Sequence, residues 1–171
     1  MKLTGYQQPA VDGAAARELR MAVEEFHAEY CAVLDSGEVE KWPEFFTTDA
    51  IYRVTARENA DAGLPVGLVY AEGRAMLHDR AVAIARTQMF APRYTLHVVG
   101  NVRIMQGLAN GEFTAQANFM LLQTLVEGPT TLHLAGRYYD RFVPEGTGLL
   151  LKERQVVYDT TMIATDLVYP V

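Results

Sequence analysis

The stretch that decides the fold is FTAQANFML, residues 113–121. Apolar side chains occupy its odd-numbered positions from Phe113 to Leu121, and polar side chains stand between them at Thr114, Gln116 and Asn118. Because successive side chains of a β-strand point to opposite faces of a sheet, this alternation predicts a strand that buries one face. The stretch therefore predicts a sheet with an apolar side and a polar side.

Two flanking runs show the same period of two. The earlier run places Tyr94, Leu96, Val98, Val102 and Ile104 on the predicted apolar face and Thr95, His97, Asn101 and Arg103 on the polar face. The later run places Leu132, Leu134, Gly136, Tyr138 and Phe142 opposite Thr131, His133, Arg137 and Arg141. The turn signals Asn110-Gly111 and Gly128-Pro129 separate the runs, so three strands joined by hairpins are predicted. A long last strand is predicted over residues 149–162, after a turn at 146–148.

Helical patterns dominate the first half of the chain. Apolar residues at helical spacing predict a helix over residues 14–34, ended by Asp35-Ser36-Gly37. Further predicted elements are a short helical piece over 39–46, strands over 51–56 and 66–71 around a loop at 59–65, and a helix over 76–85. Helices that come mostly first, followed by long consecutive strands, are typical of an α+β fold. We therefore predict a curved antiparallel sheet with helices on one face.

The domain organisation is inferred from the length of the chain and from the positions of its glycines and prolines. The 171 residues suit one domain, and no linker or repeat divides them. Residues 1–13 have Gly5, Pro9 and Gly13 but no periodicity. We predict an irregular arm over residues 1–13 and a single domain over residues 14–171.

Composition excludes several classes of function. The excess of 21 acidic over 15 basic residues gives a net charge of −6, which opposes binding to nucleic acid or to an anionic membrane. A lone cysteine, Cys31, cannot form an internal disulfide, and residues 1–16 do not resemble a signal peptide. Both observations favour a cytoplasmic protein. Glycine-rich phosphate loops are absent from the sequence.

The histidines are the first candidates for a metal site or a general base. His27 and His78 fall on predicted helices near acidic residues and are expected to be solvated or to act as helix caps. His97 and His133 lie in predicted strands on the face opposite the apolar row, so a curved sheet could bring them to one concave side or to an interface. No pair has the spacing of a metal motif, and we predict no metal ligand or catalytic histidine.

Other side chains are weaker candidates. Asp49 is expected to cap or turn the chain, Asp140 to pair with Arg137 or Arg141, and Asp159 to pair across the sheet. Cys31 lies in an apolar helix and Ser36 in a turn, so neither is expected to act as a nucleophile. One aromatic set could wall a pocket but is better explained as core. It comprises Trp42, Phe45, Phe46, Tyr52 and Tyr70.

Several stretches, taken in order, carry a family resemblance. They are Trp42-Pro43-Glu44-Phe45-Phe46-Thr47 with Asp49 and Tyr52-Arg53-Val54; Met76-Leu77 with Asp79-Arg80; Arg93-Tyr94 with His97-Val98-Val99; Ala135-Gly136-Arg137-Tyr138-Tyr139-Asp140; Leu151-Lys152-Glu153-Arg154 with Val157-Tyr158-Asp159; and Leu167-Val168-Tyr169-Pro170. Together they resemble the small (beta) subunit of Rieske-type aromatic-ring-hydroxylating dioxygenases. The ending and the 59–65 loop are most similar to subunits of enzymes that act on aromatic carboxylates, salicylate hydroxylases among them.

The resemblance implies a fold and a division of labour. The fold is the cone-like domain shared with nuclear transport factor 2 and ketosteroid isomerase. The large (alpha) subunit would hold the Rieske [2Fe-2S] cluster and the mononuclear Fe(II), and this chain would be a structural partner in a ring with three copies of each subunit. Independently of the resemblance, a Rieske cluster needs two cysteine ligands, and the chain has one cysteine. The cysteine count therefore excludes a Rieske cluster from this chain, and the resemblance implies that the chain has no catalytic, cofactor-binding or metal-binding residue.

Two alternatives remain open because one fold hosts many functions. The first is a stand-alone isomerase or dehydratase that uses an aspartate or histidine inside the cone. The second is a protein that binds a small ligand.

Overall fold

The computed structural model describes residues 3–87 and 89–171. Its longest helix, α1, covers Gly13–Asp35. It begins where the Asp12 carboxylate accepts a hydrogen bond from the Gly13 amide at 2.5 Å. It ends at Asp35, with Ser36 as the C-cap followed by Gly37 with φ of +76°. A 3-10 helix covers Val39–Phe45 and two further helices follow, α2 at Arg57–Asp61 and α3 at Gly73–Arg86. No helix in the described ranges combines the length and apolar composition needed to cross a lipid bilayer.

Six strands form one sheet in the order β2-β1-β6-β5-β4-β3. Their bounds are Phe46–Ala56 for β1, Val69–Glu72 for β2, Arg93–Gly107 for β3, Phe113–Leu125 for β4, Thr130–Glu145 for β5 and Gly148–Tyr158 for β6. All neighbours are antiparallel except β1 and β6, which are parallel. The prediction of an antiparallel sheet is thus wrong for this one pair, because no hairpin joins β1 to β6 and fixes their relative direction.

Several predicted boundaries shift. β1 begins at Phe46 and not at residue 51, and part of the predicted 59–65 loop lies in α2. β2 begins only at Val69, where pairing with Val54 starts. Just before it, Gly67 packs so closely against Val54 that a Cβ atom there would lie 2.4 Å from the Val54 carbonyl oxygen. β6 ends at Tyr158. Beyond it, the Ala135 amide of β5 donates to the side-chain hydroxyl of Thr160, at 3.0 Å, and not to a backbone carbonyl.

The burial of β4 confirms the alternation that predicted it. Its inward residues are Phe113, Ala115, Ala117, Phe119 and Leu121, all buried. On β3 the prediction is wrong for the first half of the strand, where Tyr94, Leu96 and Val98 are exposed and His97 is buried. The register shifts between Gly100 and Arg103, and Asn101 adopts φ of +54°. This bulge reverses which face the even-numbered residues occupy, so only the later part of the strand buries its predicted apolar face.

A second bulge changes β5 in the same way. Leu121 of β4 pairs with Leu134, but the next residue, Leu122, pairs with Leu132, so His133 is the extra residue. Leu132 is consequently exposed, whereas His133 and Leu134 are buried. The predicted inward row is correct only from Leu134 onward.

The core lies between the inward face of this sheet and the helices α1 and α3. Val23, Tyr30 and Leu34 of α1 are buried, as are Leu77 and Ile84 of α3. Trp42, Phe46 and Tyr52 pack edge to face, with ring centroids 5.1–6.0 Å apart. The helices thus close one side of the curved sheet and enclose its interior.

Candidate functional site

A charged cluster lies in the interior of the sheet. Arg154 of β6 has no exposed surface, and it faces Asp140 in the paired position of β5. Its Nε and Nη2 atoms donate to the two carboxylate oxygens at 3.0 and 2.7 Å. The rings of Tyr30 and Tyr138 have centroids 4.4 and 4.1 Å from the guanidinium carbon. The guanidinium charge of Arg154 is therefore stabilised by a bidentate ion pair and by cation–π contacts with two aromatic rings.

Asp140 does not pair with the arginines that its sequence neighbours suggested. Arg141 donates to Glu112 at 2.7 Å, and Arg137 lies 3.7 Å from Asp159. Both arginines occupy odd-numbered positions of β5 and face away from the interior. Burial raises the pKa of Asp140, while the adjacent guanidinium of Arg154 opposes that rise.

His27 joins this cluster, so the expectation that it is solvated or caps a helix is wrong. Its residue exposure is 3%, and its Nδ1 atom lies 3.2 Å from Nη2 of Arg154. Because an arginine only donates, Nδ1 accepts and the imidazole proton resides on Nε2. Burial, together with the charge of Arg154, holds the pKa of His27 well below its ordinary value. The histidine is thus a neutral acceptor that connects α1 to the sheet.

The last residues of the sequence close the interior. Val171 is fully buried, and its carbonyl oxygen accepts hydrogen bonds from the hydroxyls of Tyr30 and Tyr52 at 3.1 and 3.2 Å. Its amide donates to Tyr52 at 2.9 Å, and Trp42 Nε1 donates to Tyr30 at 2.8 Å. The polar groups at this end of the cone are consequently engaged with one another.

In the cluster around Arg154, three buried polar atoms have no hydrogen-bond partner among the described residues. They are His27 Nε2, the Tyr138 hydroxyl and Arg154 Nη1. Acid–base catalysis needs a titrating group that can reach a substrate. Here the carboxylate of Asp140 is already bound to Arg154. The arrangement fits the fixing of α1 on the sheet better than proton transfer.

A second buried pair joins the C-terminal end of α1 to β3. Asp35, the last residue of α1, lies with its Oδ1 atom 2.6 Å from His97 Nδ1, and its Oδ2 atom accepts from the His97 amide at 2.9 Å. The His97 side chain has no exposed surface. His97 is therefore directed inward by the β3 bulge and held by a carboxylate.

His133 lies in a different polar cluster. Arg93 of β3 contacts the Asp166 carboxylate at 3.2 and 3.4 Å and Gln123 at 3.3 Å. Burial and the positive charge of Arg93 lower the pKa of His133, and Asp166 opposes the shift. His97 and His133 thus both turn inward, but no contact joins them in the described part of the chain.

The remaining candidates have mostly local roles. His78 is exposed, as expected, and Asp49 accepts a hydrogen bond from Thr47 at 2.8 Å within β1. Asp159 lies 3.7 Å from Arg137 of β5, which confirms the predicted pair across the sheet, and it also pairs with Arg57 of α2 at 2.8 Å. Burial raises the pKa of Cys31 to about 11, which keeps its thiol neutral. Among the described residues no group of three or more histidine, cysteine or acidic side chains could hold a metal ion.

The predicted aromatic core is correct for four of its members and wrong for one. Trp42, Phe46 and Tyr52 are fully buried, and Phe45 is partly buried against the same core. Tyr70 is 50% exposed because it lies on the outward face of the edge strand β2.

The outward face of the sheet carries a continuous apolar surface, here called the outer patch. It comprises Tyr94, Leu96, Val98, Met120, Leu122 and Leu132. Leu96 pairs with Leu122 and Val98 with Met120. Tyr94 is 72% exposed and Leu96 54%. Contiguous exposed apolar surface of this kind marks an interaction site. The sequence prediction missed it because it assumed that every apolar row faces the core.

Comparison with known proteins adds a family and a fold. The model of the family described as "Ring hydroxylating beta subunit" matches residues 29–165. The chain is 35% identical over 142 residues to the anthranilate 1,2-dioxygenase small subunit of Burkholderia cepacia, covering 83% of this chain and 88% of the relative. It is 35% identical over 145 residues to the beta 2 subunit of the terminal oxygenase component of terephthalate 1,2-dioxygenase from Comamonas sp, covering 85% and 94%.

A solved structure agrees with these relatives. It is a beta subunit assigned to an aromatic-ring-hydroxylating dioxygenase of Novosphingobium aromaticivorans. Its TM-score is 0.83 at 35% identity, and the match covers 93% of this chain and all of that one (100%). The predicted cone-like α+β fold, similar to that of nuclear transport factor 2, is confirmed.

Proposed function

Since the chain belongs to the family of ring-hydroxylating beta subunits, we propose that it is the non-catalytic small subunit of a multicomponent oxygenase acting on a carboxylated aromatic compound. The Rieske [2Fe-2S] cluster and the mononuclear Fe(II) would reside in the partner large subunit. The role of this chain would be to build and stabilise the assembly.

The observation that carries this proposal is the apolar outward face of the sheet. Leu96 and Leu132 are 54% and 52% exposed, although each extends from a strand toward solvent and could be polar without harm to the core. Leaving such side chains in water forgoes the free energy that burial against another protein would provide. A subunit of a larger assembly covers them.

The chemistry of the chain supports placing both metals elsewhere. A Rieske centre needs two cysteine thiolates and two histidines, and the chain's lone thiol is kept neutral by burial. His27 and His97 are each bound through Nδ1 to a charged neighbour, Arg154 and Asp35. These two histidines serve the contact between α1 and the sheet.

The substrate class is supported by the relatives. Anthranilate and terephthalate, named in the two curated relatives, are both aromatic carboxylates. The large subunit would provide the pocket, so specificity for the carboxylate is to be sought there.

Assembly and location complete the proposal. We infer three copies of each subunit, and a cytoplasmic location that the unpaired Cys31 supports. We also propose one domain over residues 14–171 with residues 1–13 as an arm. The arm packs on β3, where the Ala10 amide donates to the Met105 carbonyl at 2.7 Å and Arg103 donates to the Gln7 carbonyl at 2.7 Å.

The first test determines whether the metals reside in this chain or in the large subunit. The chain is purified alone and together with its large subunit, and iron, labile sulfide and hydroxylation of anthranilate, terephthalate and benzoate are measured in both samples. We expect metal and turnover in the complex only. Toluene, which lacks a carboxylate, is the control substrate and should not be hydroxylated. Iron, sulfide or hydroxylation in the isolated chain would contradict the proposal.

A matched variant tests the single thiol. Cys31→Ser keeps the size of the side chain and removes its sulfur. We expect the complex that contains this variant to retain the full iron and sulfide content, because one cysteine cannot supply the two thiolate ligands of a Rieske cluster. A loss of either would place a metal centre in this chain.

A further inference from the structure

A cleft of about 450 Å³ lies between the C-terminal half of α1 and the edge strand β3. This volume is within the range of pockets that hold small organic molecules. Small side chains leave the space, namely Ala28, Cys31 and Ala32 on one face of α1 and Val99 and Val102 on β3. The walls of the cleft are therefore largely apolar.

His97 also lines this cleft and carries an unused hydrogen-bond acceptor. Asp35 accepts hydrogen bonds from the His97 amide and from its ring nitrogen Nδ1, at 2.9 and 2.6 Å. Because a carboxylate only accepts, the ring proton resides on Nδ1, and Nε2 of the neutral imidazole carries a lone pair. This Nε2 atom is buried and has no hydrogen-bond partner among the described residues. Asp35 thus fixes the ring and leaves its second nitrogen free to accept.

Two unfavourable features meet at this wall of the cleft. A buried polar atom without a partner costs free energy, and so does the left-handed backbone of Asn101, whose φ is +54°. The bulge at Asn101 is what turns His97 inward, and bulges of this kind are frequent beside binding sites. Both features are explained if a ligand supplies the missing hydrogen-bond donor.

The charges around the cleft restrict what can bind. Two carboxylates line it, Glu24 and Asp35, whereas none of the described lining residues is a lysine or an arginine. An anion would be repelled there without gaining a cationic partner. His27 lines the cleft as well, but its two ring nitrogens lie 3.2 and 4.0 Å from the Arg154–Asp140 pair. The cleft therefore fits a neutral, mostly apolar molecule with one hydrogen-bond donor.

We propose that this cleft binds a neutral phenol, whose hydroxyl donates to Nε2 of His97 while its ring packs against the apolar walls. A phenolic hydroxyl, with a pKa of about 10, is a stronger donor than an alcohol. Nε2 lies beneath the surface of the cleft, so side chains at the wall shift to admit the ligand, as is common on binding. The inference goes beyond the proposed function, since it places an organic ligand in a chain that would hold no metal.

The first experiment titrates the isolated, isotope-labelled chain with 4-methylphenol and follows the His97 ring nitrogens by NMR, at about pH 8, where imidazoles are ordinarily neutral. We expect saturable binding that changes the Nε2 resonance. Toluene has the same ring without the hydroxyl and should bind about 10-fold more weakly, which is the effect of one hydrogen bond. 4-Methylbenzoate, which carries a carboxylate in place of the hydroxyl, should also bind about 10-fold or more weakly, because Glu24 and Asp35 repel it.

A substitution that fills the cleft tests its location. Ala28 is an exposed alanine that lines the cleft, so Ala28→Phe places a ring in the space without altering the core. It should weaken the binding of 4-methylphenol by about 10-fold or more. Ala15→Phe is the matched control, since Ala15 is an exposed alanine of the same helix outside the cleft, and its affinity should equal that of the unmodified chain.

His97→Phe removes the acceptor and should reduce the affinity for 4-methylphenol to that for toluene. Circular dichroism checks that this variant is folded, and if it is not, the comparison of the two ligands on the unmodified chain makes the same test. Equal affinities for 4-methylphenol and toluene, an unchanged Nε2 resonance, or an Ala28→Phe variant that binds as well as its control would each overturn the inference. None of these outcomes bears on where the metals reside, so the proposed function is tested separately.

Discussion

The interior beside β5 and β6 contains charged side chains, whereas the outward face of β3 and β4 contains exposed apolar side chains. The interior holds a fully buried arginine with its aspartate, and the outward face holds leucines that are half exposed. Each arrangement is stable only with the right neighbours, because buried charge needs a paired charge and exposed apolar surface needs a cover. Arg154 finds its neighbours within the chain, whereas Leu96 requires another chain. The difference separates residues that serve folding from residues that serve assembly.

The largest expected effect comes from breaking the interior pair. Arg154→Met removes the guanidinium and leaves the Asp140 carboxylate buried without a counter-charge. We expect the free energy of unfolding to fall by about 3–5 kcal/mol, as measured by urea denaturation. The double variant Asp140→Leu/Arg154→Met is the control and should recover much of that loss, since no charge then remains. Equal stability of the single and double variants would mean that the pair does not stabilise the fold in this way.

The next effect concerns the pair between α1 and β3. Asp35→Ala removes the acceptor of both the His97 amide and the His97 ring. Hydrogen bonds to a charged group contribute about 1.5–3 kcal/mol, so we expect a loss of about 2 kcal/mol and faster amide exchange in β3. Glu38→Ala is the matched control, because Glu38 forms only an exposed ion pair with Lys41 at 3.3 Å. Similar losses for both variants would show that His97 is not held by Asp35.

Much of the fold was predictable because alternation and helical spacing report burial directly. Residues 113–121 gave the correct face, and the α1 helix was predicted within a few residues of its bounds. The β3 bulge was not predictable, since Asn101 in a left-handed conformation leaves no mark in the alternation of its neighbours. The exposed face of Leu96 and the buried His97 follow from that one residue.

The interior cluster was less predictable than the fold. Lys152, Glu153, Arg154 and Gln155 form a polar run that gives no sign that one of them is fully buried. The partner, Asp140, is set by the strand register, and that register depends on bulges. The residues 159–171 have no regular period, so the burial of Val171 beneath two tyrosines could not be inferred from spacing.

A smaller effect, which depends on pH, tests the interior again. The pKa of His27 is lowered on folding, so below pH 6.5 the unfolded chain takes up a proton that the folded chain does not. The free energy of unfolding should therefore fall as the pH decreases, by up to about 1.4 kcal/mol per pH unit for this group. His27→Gln should flatten the pH dependence measured by urea denaturation between pH 6.5 and 5. His133, whose pKa is also lowered, contributes in the same direction and explains any slope that remains.

The smallest expected effect concerns Leu96 on the outward face, and it tests whether this residue contributes to folding. In the isolated chain, diluted until light scattering gives the mass of a monomer, Leu96→Asp should change the free energy of unfolding by less than about 0.5 kcal/mol, because Leu96 already faces water. Leu134→Ala, which alters a leucine of β5 with no exposed surface, should lose about 2–5 kcal/mol under the same conditions. A large loss from Leu96→Asp would mean that the outer patch stabilises the fold itself, and the separation between folding and assembly residues would fail at β3.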